Sequence, residues 1–163
     1  MDRIAGARRR PIKRRGASST TEALTTSVRR KPLPDRAPPY IVIADDVEDN
    51  RQLYAAYFAY AGLRVAEAAD GREVLAIVAK EPPDLIVMDL AMPRVDGWEA
   101  TRLIKSRART KGIIVLVLTG HATQDEDFAR ARAAGADEIC TKPCLPKDLL
   151  AKVLTLLGVA ASR

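Results

Sequence analysis

From Tyr40 onward the sequence alternates five short apolar runs with five amphipathic stretches, and no other feature constrains the fold as strongly. The runs are Tyr40 to Ala44, Leu63 to Ala68, Asp84 to Met88, Ile113 to Leu118 and Ala136 to Cys140. Three of them hold unbroken aliphatic segments rich in β-branched residues: Ile41-Val42-Ile43, Leu85-Ile86-Val87 and Ile113-Ile114-Val115-Leu116-Val117-Leu118. A strand with one wet face alternates polar and apolar residues, so an unbroken apolar run calls for cover on both faces, as in the middle of a parallel sheet. Leu63-Arg64-Val65-Ala66-Glu67 alternates and Ala136 to Cys140 is short, which places these two at the sheet edges.

The stretches between the runs carry helix signals. The first spans about Glu48 to Ala61, with Leu53, Tyr57 and Tyr60 as its expected core stripe and Gly62 as its stop. The second opens at Asp70 with Glu73 three residues on and carries Val74, Ile77 and Val78. The third follows Asp96-Gly97 and is expected to bury Ala100, Leu103 and Ile104. The fourth begins at Thr123, with Glu126 completing a capping box, and ends at Gly135. The last starts near Pro146 and presents Leu149, Leu150, Val153, Leu154 and Leu157.

Strict strand and helix alternation implies right-handed crossovers and helices on both sheet faces. The expected class is α/β, a flavodoxin-like (βα)5 doubly wound parallel sheet of strand order 2-1-3-4-5. In such sheets the ligand site lies at the carboxyl ends of the strands, beside the switch in strand order.

Charge divides the chain. Residues 1–39 hold 11 basic and 3 acidic side chains and five of the ten prolines, whereas the remainder holds 16 basic and 18 acidic groups. The front segment has too little apolar surface to offset its ordering entropy and is expected to be disordered, with a mis-assigned start codon as another account of it. Residues 40–158 form the expected domain and 159–163 a short tail. No apolar run, Ile113 to Leu118 included, approaches a bilayer span, so no membrane role is expected. Two cysteines and no apolar secretory stretch point to a reducing, cytoplasmic setting.

The strand ends supply the chemistry. Strand one ends in Asp45-Asp46, strand three in Asp89 and strand four in Thr119-Gly120, while Lys142-Pro143 follows strand five. Three converging carboxylates repel one another unless some protonate or a cation binds, and hard oxygen donors with open positions suit Mg²⁺. With Lys142 opposite and Thr119 able to donate a hydrogen bond, the set describes a receptor for a small doubly charged anion carried on an aspartate.

Residues 40–157 resemble the receiver domain of two-component response regulators. The resemblance rests on Ile41-Val42-Ile43-Ala44-Asp45-Asp46, on Leu85 to Gly97 with its Met92-Pro93 and Asp96-Gly97 elements, on Val117 to Ala122, and on Gly135 to Pro143. It implies that Asp89 is the phosphoacceptor, taking a phosphoryl group from a sensor histidine kinase or histidine phosphotransfer protein. Asp46 and Asp89 would bind Mg²⁺ directly, Asp45 through water, and Ala91 through its backbone carbonyl. Thr119 would hydrogen-bond the phosphoryl oxygens and Lys142 would pair with them. The Lys142-Pro143 bond is expected to be cis, and helix four, strand five and helix five would form the contact face for a downstream protein. Beyond self-phosphorylation and self-dephosphorylation no enzyme activity is implied. With only residues 158–163 after the last helix, a stand-alone receiver is expected.

One position departs from the family. The site threonine is usually coupled to an aromatic residue three positions before the lysine, and here that residue is Ile139. A weaker or differently wired switch is expected. Ala91 and His121 flank the site and are candidates for setting water access. His121 is otherwise a polar loop group. Trp98 is expected to pack against its helix near the site. Cys140 and Cys144 frame Lys142, so oxidation would reach the site, although two buried, inert thiols are the plainer expectation.

Two other classes share parts of this pattern. Phosphatases of haloacid dehalogenase type need a second aspartate two residues after the nucleophile, and here the triplet is Asp89-Leu90-Ala91. A flavin carrier of this fold needs a Gly, Ser and Thr rich loop after strand one, which is absent. The alternative reading is a receiver-like adaptor whose basic tail, Arg8 to Arg15 and Arg29 to Lys31, contacts nucleic acid or acidic partners weakly and without specificity.

Overall fold

The structure, a computed structural model, describes residues 37–120 and 125–159, without the side chains of residues 125–127. The basic segment before residue 37, His121, Thr123 and the capping box expected at Thr123 and Glu126 lie outside the described residues.

Ten elements follow in order: β1 (Tyr40–Ala44), α1 (Glu48–Tyr60), β2 (Arg64–Ala68), α2 (Gly71–Lys80), β3 (Leu85–Met88), α3 (Gly97–Ser106), β4 (Ile114–Thr119), α4 (Asp125–Ala134), β5 (Glu138–Thr141) and α5 (Pro146–Leu157). The strands form one sheet in the order β2-β1-β3-β4-β5, and each neighbouring pair is parallel. This is the flavodoxin-like arrangement expected from the alternation. β2 and β5 are the edges, and each carries exposed residues, whereas β3 is buried throughout. Among the described residues no helix is long and apolar enough to cross a membrane.

Strand parity divides the core in two. Val42, Ile86, Met88, Val115 and Val117 point to the face covered by α2 and α3, where Val74, Val78, Ala100 and Ile104 meet them. Ile41, Ile43, Leu85, Val87, Leu116 and Leu118 point to the opposite face, against Phe58 of α1 and Leu149 and Val153 of α5. Alternating side chains on a strand produce these two sets directly.

Helix ends follow local rules. The Asp70 carboxylate accepts from the Glu73 N–H at 2.9 Å, and the Glu73 carboxylate reaches back to the Ala69 N–H at 2.7 Å. Asp96 caps α3 through the Glu99 N–H at 2.8 Å. Pro146 opens α5, and Gly158, at φ 65°, closes it in the left-handed conformation that glycine adopts without strain.

The expected stripe of α1 is corrected. Tyr54, Ala55 and Phe58 are its buried residues, whereas Leu53 and Tyr57 are exposed and Tyr60 is 93% exposed. Leu53 to Tyr60 is apolar or aromatic at every position, so its periodicity does not fix which side faces the sheet. The long-range partners decide. Phe58 has no hydroxyl to satisfy and is fully buried, while the Tyr54 hydroxyl donates to the Cys144 carbonyl at 2.8 Å.

Candidate functional site

Backbone pairing brings the strand tips into register at one edge of the sheet. The Asp89 N–H donates to the Ala44 carbonyl at 2.8 Å, the Asp45 N–H to the Ala68 carbonyl at 3.1 Å, and the Lys142 N–H to the Thr119 carbonyl at 2.8 Å. The residues that follow or end β1, β3, β4 and β5 are thereby stitched side by side, at the switch point where β1 lies between β2 and β3.

Lys142 is the centre of the arrangement. Its Nζ donates to Asp45 Oδ2 at 2.7 Å and to Asp89 Oδ2 at 2.5 Å. Burial by itself would lower its pKa, but the hydrogen bonds to Asp45 and Asp89 outweigh burial and hold the ammonium above its ordinary value. Lys142 is therefore charged at any neutral pH. The peptide bond from Lys142 to Pro143 is cis, as expected.

The remaining carboxylate oxygens are held by the turns that follow each strand. Asp45 Oδ1 accepts from the Val47 N–H at 2.9 Å, and Asp89 Oδ1 accepts from the Ala91 N–H at 3.1 Å. Asp45 and Asp89 are 2% and 6% exposed, so their orientation is set by these bonds and not by solvent. Asp46 is exposed. One carboxylate oxygen from each of Asp45, Asp46 and Asp89 lies within 4.8 Å of the others. Thr119 is buried at the tip of β4, and Ala91 is exposed beside the acidic group.

The loop after Asp89 is fixed by close packing. A Cβ at Gly97 would lie 2.1 Å from the Asp89 carbonyl oxygen, so only glycine lets the start of α3 come this near the strand tip. The Gly97 N–H donates to the Leu90 carbonyl at 3.1 Å. Trp98, next in the helix, is half-buried with the Arg130 guanidinium 4.7 Å from its ring centroid, so it links α3 to α4 as well as packing on its own helix.

All three aspartates and Lys142 thus come together as expected, with Thr119 on the adjoining strand tip. One supporting residue carries no local signal. Arg51, one turn into α1, donates to the Asp45 backbone carbonyl at 2.9 Å and to Glu67 at 3.2 Å, anchoring the acidic turn to the end of β2. Its partners come from two other segments, and nothing in its immediate sequence marks it.

Three carboxylates against one ammonium leave a net charge near −2 on one side open to solvent through Asp46. The donors are all oxygen, and among the described residues no cationic side chain pairs with Asp46. This donor set fits a hard divalent cation.

The protein-family model of the response regulator receiver domain matches residues 41–154. Response regulator MprA of Mycolicibacterium vanbaalenii is 36% identical over 120 residues, covering 74% of this chain and 51% of that protein. Response regulator SaeR of Staphylococcus aureus is 30% identical over 118 residues, covering 72% of this chain and 50% of that protein. The chain therefore spans about half the length of these curated relatives. Among solved structures, chemotaxis response regulator CheY4 of Vibrio cholerae superposes with a TM-score of 0.68 at 32% identity, covering 74% of this chain and 98% of that one. With the strand order, the acidic edge and the matched span in agreement, the chain belongs to the response regulator receiver domains of two-component signalling.

Proposed function

We propose that Asp89 accepts a phosphoryl group from the phosphohistidine of a sensor histidine kinase or phosphotransfer protein, and that the adduct shifts a conformational equilibrium governing partner binding. The observation that carries this reading is the bridge from Lys142 Nζ to Asp45 at 2.7 Å and Asp89 at 2.5 Å, with Asp46 completing the acidic edge.

In the transfer, a P–O bond forms to an Asp89 carboxylate oxygen as the P–N bond to the donor imidazole breaks, and the bonding pair stays on the imidazole nitrogen. Asp89 is oriented beforehand by the Ala91 N–H and by Lys142. As charge moves outward onto the phosphoryl oxygens, Lys142 follows it, trading a carboxylate partner for a phosphoryl one. Thr119 holds a phosphoryl oxygen from the β4 side. Asp46 and Asp89 would hold Mg²⁺ directly, Asp45 through water and Ala91 through its carbonyl. Bound there, the ion would neutralise charge on the transferring group.

A phosphoryl group changes the equilibrium only through contacts that differ between two states. Ile139 pairs with Val117 across β4 and β5 and is half-buried against the α2 and α3 side of the core. A branched aliphatic there lacks the flat ring and polar tip of an aromatic, so the coupling from Thr119 to the surface is weaker or runs through other contacts. The α4, β5 and α5 face is the docking surface for a downstream protein. A cavity of about 260 Å³ between Phe128, Arg132 and Ile139 opens on it. Two free thiols accord with a reducing, cytoplasmic setting.

The test is incubation with a small phosphodonor, with and without Mg²⁺, followed by intact-mass measurement of wild type and Asp89→Asn. A phosphoryl adduct that requires both Mg²⁺ and Asp89 supports the reading, and its absence from the folded protein removes it. Large NMR shifts throughout residues 119 to 145 on adding a phosphoryl mimic would count against the weak coupling assigned to Ile139.

A further inference from the structure

Two thiols flank Lys142, and the fold brings them into contact. Cys140 is buried in β5 on the α1 and α5 side, whereas Cys144, beyond Pro143, is only half-buried. Their Sγ atoms lie 3.3 Å apart. A disulfide holds its sulfurs at about 2.0 Å, so closure needs an approach of roughly 1.3 Å, which side-chain rotation and a small loop movement supply. The Tyr54 hydroxyl grips the Cys144 carbonyl at 2.8 Å and keeps the loop folded back over β5. Of the two thiols expected to be buried, Cys140 is buried and Cys144 is only partly so.

We propose that Cys140 and Cys144 are a reversible redox modification site, a dithiol that closes to a disulfide and forms a ring with Lys142 at its middle. The oxidant class is a low-molecular-weight disulfide such as oxidised glutathione. The Cys144 thiolate attacks one glutathione sulfur and expels a glutathione thiolate. The Cys140 thiolate then attacks the Cys144 sulfur of the mixed disulfide and expels the second glutathione. The two protons lost by the cysteines pass to the two glutathiones released, so the protein gives up two electrons and the reagent gains them.

Rate and equilibrium separate at this site. Burial first, and then the neighbouring Cys140 thiol, push the Cys144 thiol up to about 12, so the first attack is slow at neutral pH. The second is intramolecular between sulfurs already in contact, so a mixed disulfide once formed closes. The pair is thus insensitive to brief exposure and responsive to a sustained change in thiol balance.

Ring closure bears on Lys142 because its backbone lies between the two cysteines. The hydrogen bonds from Nζ to Asp45 and Asp89, at 2.7 and 2.5 Å, leave little slack. Drawing the flanking residues together loosens that hold.

The experiment treats the reduced full chain with oxidised glutathione at mildly alkaline pH and maps the products by intact and peptide mass. The expected product has lost two hydrogens, contains a cross-linked peptide joining Cys140 to Cys144, and is restored by dithiothreitol. Cys140→Ala should take up one glutathione at Cys144 and stop there, and Cys144→Ser, left with the buried Cys140, should take up none. Acetic anhydride labelling of the Lys142 amine should rise about tenfold in the oxidised form, the worth of one charge-assisted hydrogen bond. An unchanged mass, or a glutathione adduct that persists on the wild type, overturns the pair. A disulfide with unchanged Lys142 labelling overturns its hold on the lysine. None of these readouts uses phosphoryl transfer, so they stand or fall separately from the role of Asp89.

Discussion

Two groups of buried carboxylates in this molecule look alike one at a time and differ in their charge balance. Asp70, 1% exposed, accepts the Glu73 N–H on one oxygen and the Arg94 guanidinium on the other. One acid meets one base, and both oxygens are occupied. The backbone bond from Glu73, together with Arg94, holds the Asp70 carboxyl below its ordinary pKa despite burial. At the sheet edge, Asp45 and Asp89 are as well hidden, yet they share the single ammonium of Lys142 and stand beside a third acid, Asp46. Burial of an aspartate is therefore no sign of a site. An excess of acids over bases at one place is, because it persists only where something else arrives to balance it.

Substitutions can break this contrast, and the largest effect is expected at Asp89. Asp89→Asn should abolish the phosphoryl adduct altogether and, in metal-free buffer, raise the unfolding free energy by about 1 kcal/mol, since a site built for a ligand is strained without it. Urea unfolding and intact mass read the two effects together. Equal or lower stability would mean that the three acids do not repel as the geometry implies.

Lys142→Met comes next. It removes the ammonium bonded to both Asp45 and Asp89 and should destabilise the metal-free protein by about 2–3 kcal/mol, below the figure for a fully buried pair because Lys142 is partly exposed. Millimolar Mg²⁺ should return a large part of the loss in denaturant titrations, and Na⁺ at equal ionic strength should not.

Asp70→Ala sharpens the comparison from the other side. It deletes a helix cap and an ion pair with a half-exposed arginine, at a cost of about 1–2 kcal/mol. Mg²⁺ affinity and phosphoryl uptake should be unchanged in the folded variant. Acid pH should mimic this loss: Asp70 titrates lower in the folded chain, so its contribution is present above pH 3.8 and fades as the pH falls below it.

The last effect is absent at neutral pH and lies at alkaline pH. Cys144 titrates near 12 when folded and near 9 when unfolded, so its contribution is complete below pH 9 and is lost as the pH rises toward 12. The fall in unfolding midpoint across that window should be shallower in Cys144→Ala, measured by urea unfolding at stepped pH.

The site was more legible in the sequence than one of the helices that support it. Asp45, Asp46, Asp89 and Thr119 each sit at the end of an unbroken apolar run, and parallel strands put such ends at one edge whatever the loops do. The Asp70 and Asp96 caps were equally plain, because a cap bonds to backbone only three residues on. The core face of α1 is not legible in the sequence, since a stretch apolar on all sides carries no phase of its own and takes it from Phe58 against the sheet and Tyr54 against a distant loop. Arg51 carries no local signal for a related reason, as both of its acceptors lie outside its own helix.

By itself the chain determined which residues occupy the strand tips and which of its segments are strands and helices, because period, capping and strand ends are local properties. Only the tertiary structure decided that Lys142 divides its bonds between acids 97 and 53 residues away, and that two thiols meet in the loop around it. Those contacts depend on the packing of separate segments to within an ångström. Hydrophobic pattern is blind at that scale, and strand order, backbone register and side-chain packing resolve it.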